Sequence, residues 1–253
     1  MQIKKLLVYV LLFTTLLSCS KSGNFVLSGK VNGLRKGVIY LQKVEDTVLV
    51  NLDSMIVEGD PEFELYADIK EPQVLYLTLE KVDASDYDDR ILIFAEPGEM
   101  TLNTSLKNFQ SQAAITGSEN QLKLEEYNKV LRRFNDENLN LIKKSFEVRK
   151  EENEDSIIFY DQKIQNLIKR RYLYTVNFAM NNKTYEVAPY LAVTEIFDAN
   201  VKYLDTIYKS LEPKIRRSKY GKVLKDYIKE REDTDMQQQT MTKTLSETDS
   251  IQE

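Results

Sequence analysis

The apolar residues of this chain change their spacing once, at Gly117, and that change restricts it to a strand-rich half followed by a helical half. Before the glycine, apolar, β-branched and aromatic residues gather in eight short segments: 25–27, 38–44, 48–57, 63–67, 74–79, 91–95, 100–104 and 113–116. Turn formers separate them. Gly33 and Gly37, Gly59-Asp60-Pro61, Glu71-Pro72 and Glu96-Pro97-Gly98 punctuate the alternation, the last in the order that suits a type II turn. Strands spaced about 8 to 12 residues apart with no helix between them predict an antiparallel β-sandwich or open barrel over 25–117.

After Gly117 the period is helical. Ser118 is a good N-cap with Gln121 three residues on, a capping-box arrangement, and Leu124, Tyr127, Leu131 and Phe134 follow at helical spacing. The first helix is expected to reach about Lys150. The charged stretch 149–155 marks a bend before Ile157, Ile164, Leu167, Ile168 and Tyr172 resume the stripe, which predicts an antiparallel helical pair. Asn181-Asn182-Lys183 closes the second helix, Pro189 sits in the first turn of a third, and Leu204, Ile207, Tyr208 and Leu211 make a fourth that Pro213 ends. A last helix over 218–231 completes a helical domain at 118–231. From 232 to 253 large apolar residues are scattered without period, and a disordered C-terminal tail is expected. The fold class is therefore α+β.

The N-terminus carries a different message. Lys4 and Lys5 precede an apolar run over 6–17 that only Thr14 and Thr15 interrupt, the layout of a signal peptide. Twelve helical residues rise about 18 Å, short of the roughly 30 Å hydrocarbon core that a permanent span must cross. The run ends in Leu16-Leu17-Ser18-Cys19, which resembles the lipobox of bacterial lipoproteins. That resemblance implies a signal peptide at 1–18, a diacylglyceryl thioether on Cys19 with fatty chains such as palmitate, and a lipidated tether at 19–24. It also implies a lipid-anchored protein of the Gram-negative cell envelope. Residues 20–24 lack the acidic cluster that some lineages use for surface export, so the expected location is the outer membrane, on its periplasmic face rather than the cell surface. One acyl chain binds a membrane only marginally, whereas two or three anchor it stably.

Composition narrows the chemistry. Cys19 is the one cysteine, so no disulfide partner exists for it, and histidine and tryptophan are absent. The formal charge is −5 and falls by two more when Lys4 and Lys5 leave with the signal peptide, which argues against nucleic acid as a partner. No catalytic constellation stands out, and no cofactor or metal is expected. The acidic cluster Asp83, Asp86, Asp88 and Asp89 lacks the spacing of an EF-hand and reads as a solvated hairpin tip. Lys169-Arg170-Arg171 and Lys214-Ile215-Arg216-Arg217 read as solvated helix faces. Eight tyrosines of the helical half, among them Tyr172, Tyr174, Tyr190 and Tyr220, suit helix packing better than a ligand groove. Glu195 and Asp198 make a carboxylate pair that spacing alone does not distinguish from chance. Asp53-Ser54-Met55 and Asp249-Ser250-Ile251 look like acceptor triplets for O-glycosylation in some bacterial envelopes.

The strand half resembles a family. Phe25-Val26-Leu27-Ser28-Gly29-Lys30-Val31, Gly37-Val38-Ile39-Tyr40-Leu41, Leu52-Asp53-Ser54, Phe63-Glu64-Leu65, Phe94-Ala95-Glu96-Pro97-Gly98-Glu99 and Thr116-Gly117-Ser118-Glu119-Asn120 are similar to the β-rich domain of unknown function (DUF4369-like) of envelope lipoproteins. In thiol-disulfide interchange lipoproteins that domain precedes a thioredoxin-like one. Val187-Ala188-Pro189-Tyr190-Leu191 and Ser218-Lys219-Tyr220-Gly221-Lys222-Val223-Leu224 extend the resemblance to about residue 230. Asp60-Pro61-Glu62 departs from the Gly-containing turn of relatives and is expected to reshape that hairpin. No thioredoxin-like domain is expected after the helices, and thiol exchange needs an attacking thiolate that a lipidated Cys19 does not supply. The lack of a catalytic constellation, together with this two-part architecture, therefore predicts a non-enzymatic binding or scaffolding role, with the sandwich near the membrane and the helices beyond it. An accessory partner of a separate thioredoxin-like or nutrient-uptake system is the alternative, and a hydrolase is disfavoured.

Overall fold

Among the described residues, alternation along the first half produces eight strands, and their inward faces make one apolar core. The structure, a computed structural model, describes residues 22–81 and 89–249, with side chains through residue 236 at that end. The strands are β1 (Phe25–Asn32), β2 (Lys36–Glu45), β3 (Val48–Glu58), β4 (Glu62–Ala67), β5 (Gln73–Lys81), β6 (Asp89–Ala95), β7 (Gly98–Ser105) and β8 (Ala114–Thr116). They form two four-stranded sheets, in the orders β4-β1-β7-β8 and β3-β2-β5-β6. Phe25, Leu27, Leu65 and Leu102 of the first sheet meet Ile39, Leu41, Leu77 and Ile93 of the second, all fully buried. This is an open sandwich, not a closed barrel. One pairing departs from the antiparallel expectation: β1 and β7 run parallel, from Phe25 opposite Gly98 to Asn32 opposite Ser105. The chain crosses between sheets at Glu96-Pro97, so β7 enters beside the start of β1 rather than through a hairpin. On one open side of the sandwich the Asp53 carboxylate of β3 accepts the Tyr66 N–H of β4 at 3.0 Å and so ties the two edges. The turn at Asp60-Pro61-Glu62 is held by the Glu62 N–H on Asp60 Oδ1 and by the Val31 N–H on the Pro61 carbonyl.

Gly117 ends the sheet part for a steric reason. Its φ is +103°, and a β-carbon there would lie 2.4 Å from the Glu99 carbonyl oxygen. The helices follow: α1 (Glu119–Lys150), α2 (Glu154–Asn181), α3 (Val187–Glu195), α4 (Val201–Ser210), α5 (Pro213–Arg216) and α6 (Lys219–Asp249). Ser118 caps α1, its hydroxyl accepting the Gln121 N–H at 2.9 Å. Helices α1 and α2 form an antiparallel hairpin whose facing positions on α1 step by three and four, through Tyr127, Leu131, Phe134, Asn138, Leu141 and Ser145. An Arg170–Glu137 bridge at 2.6 Å and the bidentate Arg149–Asp161 bridge flank the seam. Helices α3 to α6 pack on the base of α2 through Ala179, Ala188, Ala192, Leu204, Ile207 and Leu224.

Two helix boundaries differ from the sequence pattern. Pro213 not only stops α4 but opens the one-turn α5, where its missing N–H costs nothing. Helix α6 runs past Arg231 to Asp249, since nothing from 232 to 249 is Pro or Gly and Gln, Met, Lys and Glu all tolerate a helix. Side chains 232–236 are exposed, so this extension leaves the body.

Candidate functional site

The second sheet is buried on both faces at one end, and the outer burial joins the two halves of the molecule. Residues of β5 and β6 that point away from the sandwich, Val74, Tyr76, Leu92 and Phe94, pack under Leu124 and Tyr127 of α1, Val187 and Leu191 of α3 and Tyr220 of α6. Phe94 is the hub, edge-on to Tyr190 at 5.4 Å and to Tyr220 at 5.8 Å. A second aromatic group continues along the hairpin, where Tyr127 stacks on Tyr174 and meets Phe178 edge-on.

Several buried polar groups at this junction have structural partners on the other half of the molecule. The Phe94 N–H points out of the edge strand β6 and ends on Gln121 Oε1 at 2.8 Å. The Val74 N–H lies past the last β2–β5 pair, Gln42 with Tyr76, and ends on the Tyr220 hydroxyl at 2.9 Å. Helical side chains thereby satisfy strand donors that burial would otherwise leave unpaired. Gln121 therefore does not close the capping box back onto Ser118 as the spacing suggests, because its amide serves β6 and Glu125 instead. Asn120, 2 % exposed, bridges two carboxylates: its amide donates to Glu96 Oε1 at 2.9 Å and Glu186 Oε2 at 3.0 Å, and its carbonyl accepts the Val187 N–H. Glu71 Oε2 accepts the Lys219 N–H at the start of α6. Burial pushes the Tyr220 hydroxyl up to about 12 and lifts those of Tyr127 and Tyr190 as well, so all three stay neutral donors or acceptors.

Two open depressions lie outside this junction, one across the sandwich from it and one beside it. A shallow one of about 920 Å³ lies on the outer face of the first sheet, between Ser28 and Lys30 of β1, Glu62, Glu64 and Tyr66 of β4, and Thr101 of β7. The other, about 700 Å³, is a cleft between the edge strand β6, β8 and α1, with Leu92 and Ile115 on its floor and Leu122, Glu125, Lys129 and Arg132 along its helical wall. Among the described residues the outer edge of β6 has no strand neighbour in its sheet, and Leu122 is half exposed. An unpaired edge beside an amphipathic helix suits an extended peptide segment better than a small reactive substrate.

The residues singled out in the sequence disperse. Cys19, Asp83, Asp86, Asp88, Ser250 and Ile251 lie outside the described residues, while Asp89 opens β6 in an ion pair with Lys81. Arg170 bridges to Glu137, and Arg216 binds the Leu211 and Lys209 carbonyls at the end of α4. Tyr190 and Tyr220 pack on Phe94 rather than lining an open groove. Glu195 is half-buried near Arg171 and its carboxyl is raised by burial, whereas Asp198 is exposed and its carboxylate takes the Tyr172 hydroxyl. Asp53 holds β4, which leaves Ser54 exposed beside it. Among the described residues no group of three or more metal-ligating side chains occurs, and no helix is long and apolar enough to cross a membrane.

The fold defines a class: an open β-sandwich whose second sheet is covered by a helical hairpin and its supporting helices. Residues 25–124, the sandwich together with the first turns of α1, match the family model described as a domain of unknown function, DUF4369. The match ends at Leu124, one of the side chains that cover Phe94, so it takes in the start of the junction. No curated protein and no solved structure matches the chain.

Proposed function

We infer that this is a lipid-anchored protein of the cell envelope whose work is binding or scaffolding rather than catalysis. The observation that carries the reading is Leu16-Leu17-Ser18-Cys19 at the end of an apolar run too short to span a bilayer. The junction supports its second half, since Glu96 and the buried Asn120, Gln121, Glu186 and Tyr220 are all engaged in holding the two halves together. The cleft between β6 and α1 is the surface best shaped for an extended ligand.

Anchoring also orients the molecule. Five backbone steps, over the four residues 20–23, separate Cys19 from Asn24 and reach at most about 17 Å. Asn24 is fixed at the junction end of the sandwich, where its carbonyl accepts the Gly98 N–H and its amide pairs with both backbone groups of Ile69. Glu71 and Glu96, which hold α6 and α1, sit at that same end. On this reading the sandwich and the helical base stand side by side at the membrane, rather than one above the other as the order of domains suggests. Helix α1 starts beside Glu96 and passes Arg90, at the far end of β6, near Arg132, so the hairpin points away from the bilayer.

Mass spectrometry of the N-terminal peptide from native envelopes tests the anchor. A diacylglyceryl cysteine at Cys19 is the expected result, with Cys19→Ala releasing the protein into the soluble fraction. A free thiol at Cys19, or a leader still attached, overturns the reading.

A further inference from the structure

The outer part of the α1–α2 hairpin carries apolar side chains that none of the described residues covers. Leu139 is 69 % exposed, Phe146 64 % and Ile158 65 %, with Ile142 half-buried between the first two. Helical spacing sets Leu139, Ile142, Phe146 and Arg149 on one stripe of α1, and Ile158 stands three residues before Asp161 on α2. Because Arg149 and Asp161 bridge the two helices, all of these lie on the same side of the hairpin. The opposite seam positions face the partner helix and are already filled. A stripe of this kind, running along about 24 Å of helix over residues 135–150, is a packing surface without a partner.

The distribution of charge says what covers it. An antiparallel copy of α1, with its two-fold axis between Ile142 and Lys143, sets Leu139 against Phe146 and Ile142 against the Lys143 stem of the copy, one residue from its own counterpart. The same register brings Asp136 beside Arg149 and Lys150. Opposite charges thus meet at both ends of an apolar centre, as a self-complementary two-fold contact requires. We propose that two copies of this chain associate through the outer halves of their α1–α2 hairpins to form an antiparallel four-helix contact. The surface is small. Two helices about 10 Å wide over 24 Å bury roughly 500 Å² per partner, below the ~800 Å² of a standard interface, so the dimer is weak and reversible. The proposal stands apart from lipid anchoring and needs no acyl chain.

The test uses the full chain carrying Cys19→Ala, which removes its one native thiol. Ile142→Cys then places a single sulfur next to the two-fold axis, and mild oxidation with copper phenanthroline and oxygen is expected to give a covalent dimer. Lys163→Cys, on the other side of the hairpin where Lys163 lies over the Phe159 ring, is expected to stay monomeric. Sedimentation of chains without engineered cysteine supplies the second arm. Leu139→Glu with Phe146→Glu should weaken self-association at least tenfold while the helical circular dichroism is kept. Asp136→Lys and Lys150→Glu should each weaken it, and the two together should restore it. Equal cross-linking at 142 and 163, no cross-linking up to the solubility limit, or a charge swap without recovery overturns the proposal. Because every variant lacks Cys19, these outcomes are independent of whether the native chain is lipidated.

Discussion

The two faces of the β3-β2-β5-β6 sheet are built on different principles. Inside the sandwich, Ile39, Leu41, Leu75, Leu77 and Ile93 meet the other sheet as aliphatic side chains with no polar atom to satisfy. Outside it, Phe94 and Val74 are covered by rings, and the polar ends of Tyr220 and Gln121 take up strand N–H groups. The inner face needs only apolar volume at alternate positions, which many sequences supply. The outer face needs particular side chains in particular places, because a helix approaching a sheet edge buries backbone donors that another strand would have paired.

That contrast can be broken by experiment, beginning with the hubs. Leu75→Ala and Phe94→Ala are both expected to cost heavily, about 2–5 and 3–5 kcal/mol by urea denaturation, each in a single transition. If Phe94→Ala instead splits unfolding into two transitions, the helical half is an independent unit and the junction is not part of one cooperative core. Tyr220→Phe keeps the ring and removes the acceptor of the Val74 N–H, so a loss of about 1–3 kcal/mol is expected, with faster hydrogen exchange at Val74 than at Leu75. An unchanged exchange rate at Val74 would falsify the edge-capping role. Ser118→Ala removes both the cap of α1 and the hydroxyl that donates to Glu96, and about 1 kcal/mol is expected in the same assay.

The smallest effect concerns pH. Burial holds the Glu195 carboxyl above its ordinary value of 4.5, so folding favours its protonated form. Its contribution is present below the unfolded value and is lost as pH rises through the raised folded value. Glu195→Gln should therefore melt slightly higher than the native protein at pH 7 and at the same temperature below pH 4. A difference that persists at pH 4 assigns the effect to packing instead of ionisation.

Much of the first half was legible because strands announce themselves locally. The alternation of Phe25-Val26-Leu27, of 38–44 and of 74–79 marks which residues share a face, and Gly117 marks the boundary since its backbone admits no β-carbon. The Ser118 cap and the three-four spacing from Tyr127 to Ser145 are local in the same sense. Gln121 was misread because the capping-box spacing says where a side chain starts, not which of two donors in reach it will serve. The family match reinforces the readable part and stops at Leu124, just where the helices take over.

By itself, then, the order of residues determined the periods, the turns and the helix starts, for each of these depends on neighbours within a few positions. Only the tertiary structure decided that β7 joins β1 in parallel, that Phe94 rather than a dedicated groove gathers the tyrosines, that Tyr220 and Gln121 close strand edges, and that Leu139, Phe146 and Ile158 stay uncovered. Those outcomes turn on which surfaces meet across large separations in the chain, as with Val74 and Tyr220, and a one-dimensional pattern records that a face is apolar without recording what will cover it.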